Sequence, residues 1–222
     1  MGRSFGIDEF QYLLLGAQWT VLLSIVTFVF GGILGMIVAL TRTSGSRPVR
    51  FAASLYVQVV QGTPLLILLF ISYFGLTIVG ATLPALAAAG LALTIYASAF
   101  LGEIWRGCLE AVPRAQWLGA ESLGLSRGQQ LWHVIVPQAA RIATPPTVGF
   151  LVQIVKNTSL TALVGFIELA RAGQLLNNIT FQPATVFLCV AALYFSICFP
   201  LSVLSRNLEV KLNAGRSGLR RS

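Results

Sequence analysis

Two stretches of this chain, Phe51 to Gly102 and Ala172 to Ser205, contain no charged residue. Uninterrupted apolar runs of that length read as membrane spans, because a helix needs roughly 20 apolar residues to cross ~30 Å of hydrocarbon. The first run holds two spans and a turn, and the second holds one span with a lead-in. Composition agrees. Charged residues are 10% of the 222 and the mean hydropathy is +0.81, whereas a soluble domain carries about 25% charge. The chain therefore reads as an all-α integral membrane protein of a single domain, residues 1–222, with no soluble core to bury.

Residues 1–20 are a polar, then amphipathic lead. They lack the basic region and short apolar core of a cleaved signal and are expected to be retained. Five spans are expected, over residues 21–40, 53–76, 84–103, 142–166 and 184–205. Gly31 and Gly35 in the first form a G-x-x-x-G that admits a closely packed neighbouring helix. A basic loop follows at 41–50, a turn at Gly80 to Pro84, a second polar connection at Glu168 to Pro183, and a basic tail.

With five spans, the 41–50 loop, the segment 110–141 and the C-terminal tail lie on one side. That side holds 12 of the 15 Lys and Arg residues; Arg3 and Arg171 fall on the other and Lys156 within a span. The positive-inside rule then places the N-terminus outside and the C-terminus in the cytoplasm. The net charge of +8 follows from topology and anionic lipid. Basic residues dispersed among spans leave no patch for nucleic acid.

The segment 110–141 is a polar island with its own punctuation. Pro113 suits a first helical position, Gly124 a left-handed C-cap, and Ser126 with Gln129 a capping box that opens a second short helix ending before Pro137. A compact helix–turn–helix is expected. Trp117, Ala120 and Gly124 share a face, which either admits another surface or folds onto the chain's own membrane domain.

The chain has no G-x-x-x-x-G-K-[ST] phosphate loop. Its one histidine, His133, has no Cys or carboxylate at ligand spacing, and Cys108, Cys189 and Cys198 read as reduced apolar residues. Neither a metal site nor a catalytic set is expected. Two clusters stand out inside the spans. Gln61-Gly62-Thr63-Pro64 interrupts the second, as a simple kink or as the wall of a cavity that satisfies freed carbonyls. Lys156-Asn157-Thr158-Ser159 places a cation in the fourth, bordering a wet passage or pairing with a helix end or carboxylate. Glu103 and Arg106 are spaced for an ordinary intrahelical ion pair.

The residues also carry a family resemblance. LGAESLGLS followed by HVIVPQAAR resembles the cytoplasmic "EAA" loop of bacterial ABC importer permeases. Leu118-Gly119-Ala120 stand at the E-A-A positions, Gly124 at the glycine and Ile135-Val136-Pro137 at the end. Leu118 replaces the family's Glu, and Glu121 lies on nearly the same face. QGTP at 61–64, Glu103 with Arg106, and KNTSL at 156–160 resemble the R-G-T-P, Y-x-A-E-x-x-R-G and K-D/N-T-S-L stretches of permeases of the histidine, glutamine, glutamate and arginine importer type. Gln61 replaces the Arg, and Phe100 lies near the Tyr position. The likeness runs from about Thr20 to Lys211.

This resemblance implies a type I ABC importer permease with a cytoplasmic helix–turn–helix coupling loop. Trp117, Ala120, Glu121, Gly124, Leu125 and Ser126 would engage a separate ATPase. Gln61, Gly62, Thr63, Pro64, Lys156, Asn157, Thr158 and Ser159 would border the path of a polar amino acid. It implies two ATPase subunits that bind ATP and Mg, none being bound by this chain. A second permease subunit, identical or homologous, and an extracytoplasmic solute-binding protein complete the assembly in the bacterial inner membrane. The alternative is an ATP-independent secondary carrier or channel, for which five spans without an internal inverted repeat are poor material.

Overall fold

A computed structural model describes residues 5–78 and 80–218, with 213–218 by backbone alone. Arg3, Arg220 and Arg221 of the basic termini lie outside these residues. Every regular element among them is helical: α1 (Ile7–Arg42), α2 (Arg47–Gly62), α3 (Leu65–Ile78), α4 (Ala85–Glu110), α5 (Arg114–Ser122), α6 (Arg127–Val164), α7 (Leu169–Thr180) and α8 (Pro183–Gly218). Helices α1, α4, α6 and α8 are each long and apolar enough to cross a membrane, and the bent pair α2–α3 meets the same criterion only with its two halves taken together.

The first span absorbs the N-terminal lead. Asp8 and Glu9 in its first turn and Arg42 in its last match the helix dipole. Ile25, Ile33 and Ile37 remain more than half exposed, which suits a lipid-facing helix. The inner face of α1 packs along α4. A Cβ on Gly31 would stand 2.6 Å from the Ala97 Cβ, and one on Gly35 would stand 3.1 Å from the Leu101 Cβ. The G-x-x-x-G thus serves a helix pair within this chain.

The second span, expected as one helix over 53–76, is instead broken at Thr63–Pro64, and its halves are bent by 102°. Pro64 donates no hydrogen bond and pushes the preceding residue out of the helical region, and Thr63 sits at φ −103°, ψ 128°. The freed groups are reused locally. Thr63 Oγ1 donates to the Val59 carbonyl at 2.7 Å, and the Pro64 carbonyl accepts from Ile67 N at 2.9 Å. Helix α3 widens into a π turn at Ile71–Gly75.

The fourth span starts inside the polar loop. The stop expected before Pro137 is absent, and α6 runs through Pro137, Pro145 and Pro146. A π turn over Gln130–Ile135 immediately precedes Pro137. The wider turn relieves the clash that a proline ring makes with the carbonyl four residues earlier. At its far end α6 tightens into a 3-10 turn, Thr158–Val164, closed by Gly165 at φ 84°. The polar connection at 168–183 is itself largely helix α7, which buries Leu169, Ala172, Gly173 and Leu176.

Several apolar clusters hold the bundle, two of them joining three or more helices each. Leu23, Leu65, Leu69, Leu93 and Val164 join α1, α3, α4 and α6. Leu13, Leu169, Leu176 and Val186 join α1, α7 and α8.

Candidate functional site

The loop between α4 and α6 is a rigid block. Helix α5 begins one residue later than expected, with Pro113 as its N-cap, and ends in a Schellman motif. Gly124 takes φ 72°, its N–H bonds the Glu121 carbonyl at 2.9 Å, and Leu125 N–H bonds the Ala120 carbonyl at 3.2 Å. The capping box is also formed: Ser126 N–H donates to Gln129 Oε1 at 2.9 Å and Gln129 N–H to Ser126 Oγ at 3.5 Å. Buried Gln130 ties the turn to α6 by donating to the Leu125 carbonyl at 2.7 Å.

A small core of Leu109, Val112, Ile135 and Ala139 lies beneath this block, with Trp117 and Leu131 packed against it. Ala120 is buried and Trp117 half-buried, so the face they share points into the loop's own core. Of the two readings of this face, the packing matches the one in which it folds onto the chain itself. The outward face carries Leu118 at 62% exposure, Leu123 at 80%, and exposed Glu121, Gly124 and Ser126, with Leu125 half-buried. Leu118 is marked in the sequence by its place at the family's Glu position, whereas Leu123 gives no signal beyond lying in a polar island.

At the base of the block, Glu103 and Arg106 form the expected pair and extend it. Arg106 binds Glu103 at 2.5 Å and Glu110 at 2.6 Å, and Arg42 of α1 reaches Glu103 at 3.5 Å. The chain of charges links the ends of α1 and α4.

The two in-membrane clusters are connected through α4 and α3. Gln61 Nε2 reaches the Ala99 carbonyl at 3.5 Å, while neighbouring Phe100 stacks on Phe150 of α6 at 5.7 Å. Leu65, just past the break, shares a cluster with Leu160, just past Ser159. Gln61, Gly62 and Pro64 are exposed and Thr63 is half-buried.

In the other cluster Lys156 is exposed and has no ion pair among the described residues. Thr158 is sealed, donating to the Val155 carbonyl at 2.8 Å, and Ser159 donates to the Lys156 carbonyl at 2.7 Å. Asn157 accepts from Gln153 at 3.0 Å and keeps a buried Nδ2 without a partner among the described residues. The cluster thus offers a cation beside a buried amide donor. No group of three or more metal-ligating side chains exists among the described residues.

One polar centre escaped sequence reasoning. Glu168 is fully buried, and its carboxylate accepts from Tyr194 OH, Thr20 Oγ1 and the N–H groups of Ala170 and Arg171. An acid placed before the amphipathic run Leu169–Thr180 is an N-cap signal, and it marks the start of α7.

Fold and site together define a multi-span helical permease whose polar loop is folded into a block of its own. Residues 31–213 match the family described as the inner membrane component of binding-protein-dependent transport systems, and the chain belongs to it. It is 34% identical to the Bacillus subtilis probable amino-acid ABC transporter permease YckA, over 92% of this chain and 91% of that protein. It is 32% identical to the probable glutamine permease GlnM of the same species, over 96% and 98% of the two chains. A solved amino acid ABC transporter, described as with histidines, superposes with a TM-score of 0.86 at 30% identity, over 90% of this chain and 94% of that one. The MetNI methionine transporter shares the fold, with a TM-score of 0.79 at 21% identity over 93% and 99%.

Proposed function

We propose that this membrane component of an ABC importer carries a polar amino acid inward across the bacterial inner membrane. Two separate ATPase subunits bind the ATP and Mg and drive it, and the chain itself holds no cofactor and catalyses no reaction. A second permease subunit, identical or homologous, completes the pathway, and an extracytoplasmic solute-binding protein delivers the cargo. The N-terminus lies outside and the C-terminus in the cytoplasm. The reading of the cargo draws on relatives named for glutamine, cystine and arginine transport.

The observation that carries the mechanism is the loop block. Its caps fix the backbone locally, its core anchors it to the ends of α4 and α6, and Leu118 and Leu123 stand outward. Seated on an ATPase, such a block passes a displacement directly into two spans, since α6 begins within it. Closing of the ATPase dimer then tilts α4 and α6, and the path bordered by Gln61 to Pro64 and Lys156 to Ser159 alternates its access. Glu121, Gly124, Leu125 and Ser126 lie at the docking face. Trp117 and Ala120 support it from beneath.

Reconstitution tests this reading. The chain should co-purify with an ATPase whose hydrolysis rises when amino acid and binding protein are added. Gly124→Asp places a charge at the docking face and a Cβ at φ 72°, and should abolish that stimulation while membrane insertion persists. Normal coupling in the variant removes the docking role. Amino-acid transport by the lone chain in liposomes, without ATP, would establish the secondary-carrier alternative instead.

A further inference from the structure

Two cavities meet at one end of the α1–α4 pair. An apolar groove of about 310 Å³ lies between α1, α4 and the start of α6, walled by Met36, Leu40, Trp105, Leu109, Trp132 and Ala140. The hydroxyls in its wall are already committed. Thr147 accepts from Trp105 Nε1 at 2.9 Å, and Thr144 donates to the Ala140 carbonyl at 2.8 Å. A site with so few open polar partners does not hold ordered water well. Met36 and Trp132 are exposed along it.

The second cavity, about 730 Å³, is lined by Arg42, Arg50, Arg114 and Arg127 against Glu110 and Glu121, four positive charges to two negative. Leu109 belongs to both walls, so the apolar groove adjoins the basic crevice. Glu110 is engaged by Arg106, and Arg42 faces Glu103. Arg114 and Arg127 have no ion pair among the described residues.

An apolar slot beside surplus guanidinium groups fits an acyl chain joined to a phosphate. A zwitterionic lipid would bring its cationic ammonium to the same arginines, which disfavours it against an anionic headgroup. We propose that these cavities form a site for one anionic glycerophospholipid of the cytoplasmic leaflet. Its acyl chain lies along Met36, Trp132 and Ala140, and its phosphate lies on Arg114 and Arg127. The choice of leaflet rests on the orientation proposed above.

Native mass spectrometry of the full chain in detergent, supplied with phosphatidylglycerol or with phosphatidylcholine of the same acyl chains, tests the site. One phosphatidylglycerol should be retained about tenfold over phosphatidylcholine, and Arg114→Gln with Arg127→Gln should erase the preference. Met36→Trp and Ala140→Phe fill the groove from opposite helices, at positions already exposed, and each should reduce retention of both lipids. Having two such variants keeps the test intact if one fails to purify. Equal retention of the two lipids by the unaltered chain overturns the proposal, as does undiminished phosphatidylglycerol in the groove variants. Loss of ATPase association in the arginine variant with lipid retention unchanged would make the crevice a subunit seat and likewise overturn it. Detergent has no leaflets, so failure here removes the lipid site and leaves the orientation standing.

Discussion

Glu168 is fully buried and Lys156 is exposed, and their surroundings assign the two groups opposite work. The Glu168 carboxylate accepts from Tyr194 at 2.6 Å, Arg171 N at 2.8 Å, Ala170 N at 2.9 Å and Thr20 at 3.3 Å. A buried carboxylate is costly unless its lone pairs are filled, and here four donors from α1, α7 and α8 fill them. Glu168→Ala should therefore lower the melting temperature most, since each donor left buried without an acceptor costs about 1–3 kcal/mol. Glu168→Gln should fall between, because its NH₂ must face another donor. Tyr194→Phe, which deletes one hydrogen bond worth about 1 kcal/mol, should be mildest. Thermal unfolding in detergent gives the order directly, and a Gln variant as stable as the parent would remove the carboxylate from its central role. Lys156, exposed and without a carboxylate partner among the described residues, should behave in reverse. Lys156→Ala should leave the melting temperature unchanged and impair uptake into proteoliposomes containing the whole transporter. Unaltered uptake and ATPase stimulation would make the lysine merely structural.

At the scale of elements, the α1–α4 pair is the most extensive helix contact, and Gly31 is where it is least forgiving. A Cβ there would stand 2.6 Å from the Ala97 Cβ, closer than side chains can approach, while at Gly45 nothing lies within 4 Å. Gly31→Val should thus cost about 1–3 kcal/mol or more, as overpacked cores do, and Gly45→Val almost nothing. Thermal unfolding of the two variants makes the comparison, and equal stability would mean that the helices do not pack at this distance. The glycine spacing was readable in the sequence, and so were the Gly124 and Ser126–Gln129 caps, because each is decided within about five residues. Other features depend on distant partners. Pro64 announces a break, but the 102° angle comes with the packing of Leu65 and Leu69 against Leu23 and Leu93. Pro137 read as a stop because the π turn before it is held by Ile135 and Ala139 in the loop's core. The spacing of Trp117 and Ala120 told which side chains share a face and left open which way the face turns. In the same way, the burial of Glu168 depends on Thr20, 148 residues earlier in the chain.

For the whole molecule, sidedness decides whether the loop can meet a motor at all. The structure brings Arg42 and Arg50 of the first polar loop into one crevice with Arg114 and Arg127 of the second. Both loops therefore lie at the same end of the bundle, independently of any charge rule. The turn at Gly80 to Pro84 is joined to the second of these loops by the single apolar helix α4, and one crossing puts it on the opposite side. The positive-inside rule then distinguishes the two ends, because the shared end carries the arginines and the Gly80 turn has no charge. Single cysteines at exposed Ala81 and Gly128, on a background in which Cys108, Cys189 and Cys198 are serine, report this with a membrane-impermeant maleimide. Ala81→Cys should react in intact cells stripped of their outer layers, and Gly128→Cys only after the membrane is opened. The reverse pattern would put the loop block outside, where no ATP-driven subunit could seat against Leu118 and Leu123. The coupling mechanism would then fall, while the packing of α1 on α4 and the buried Glu168 centre, which depend on neither side, would stand.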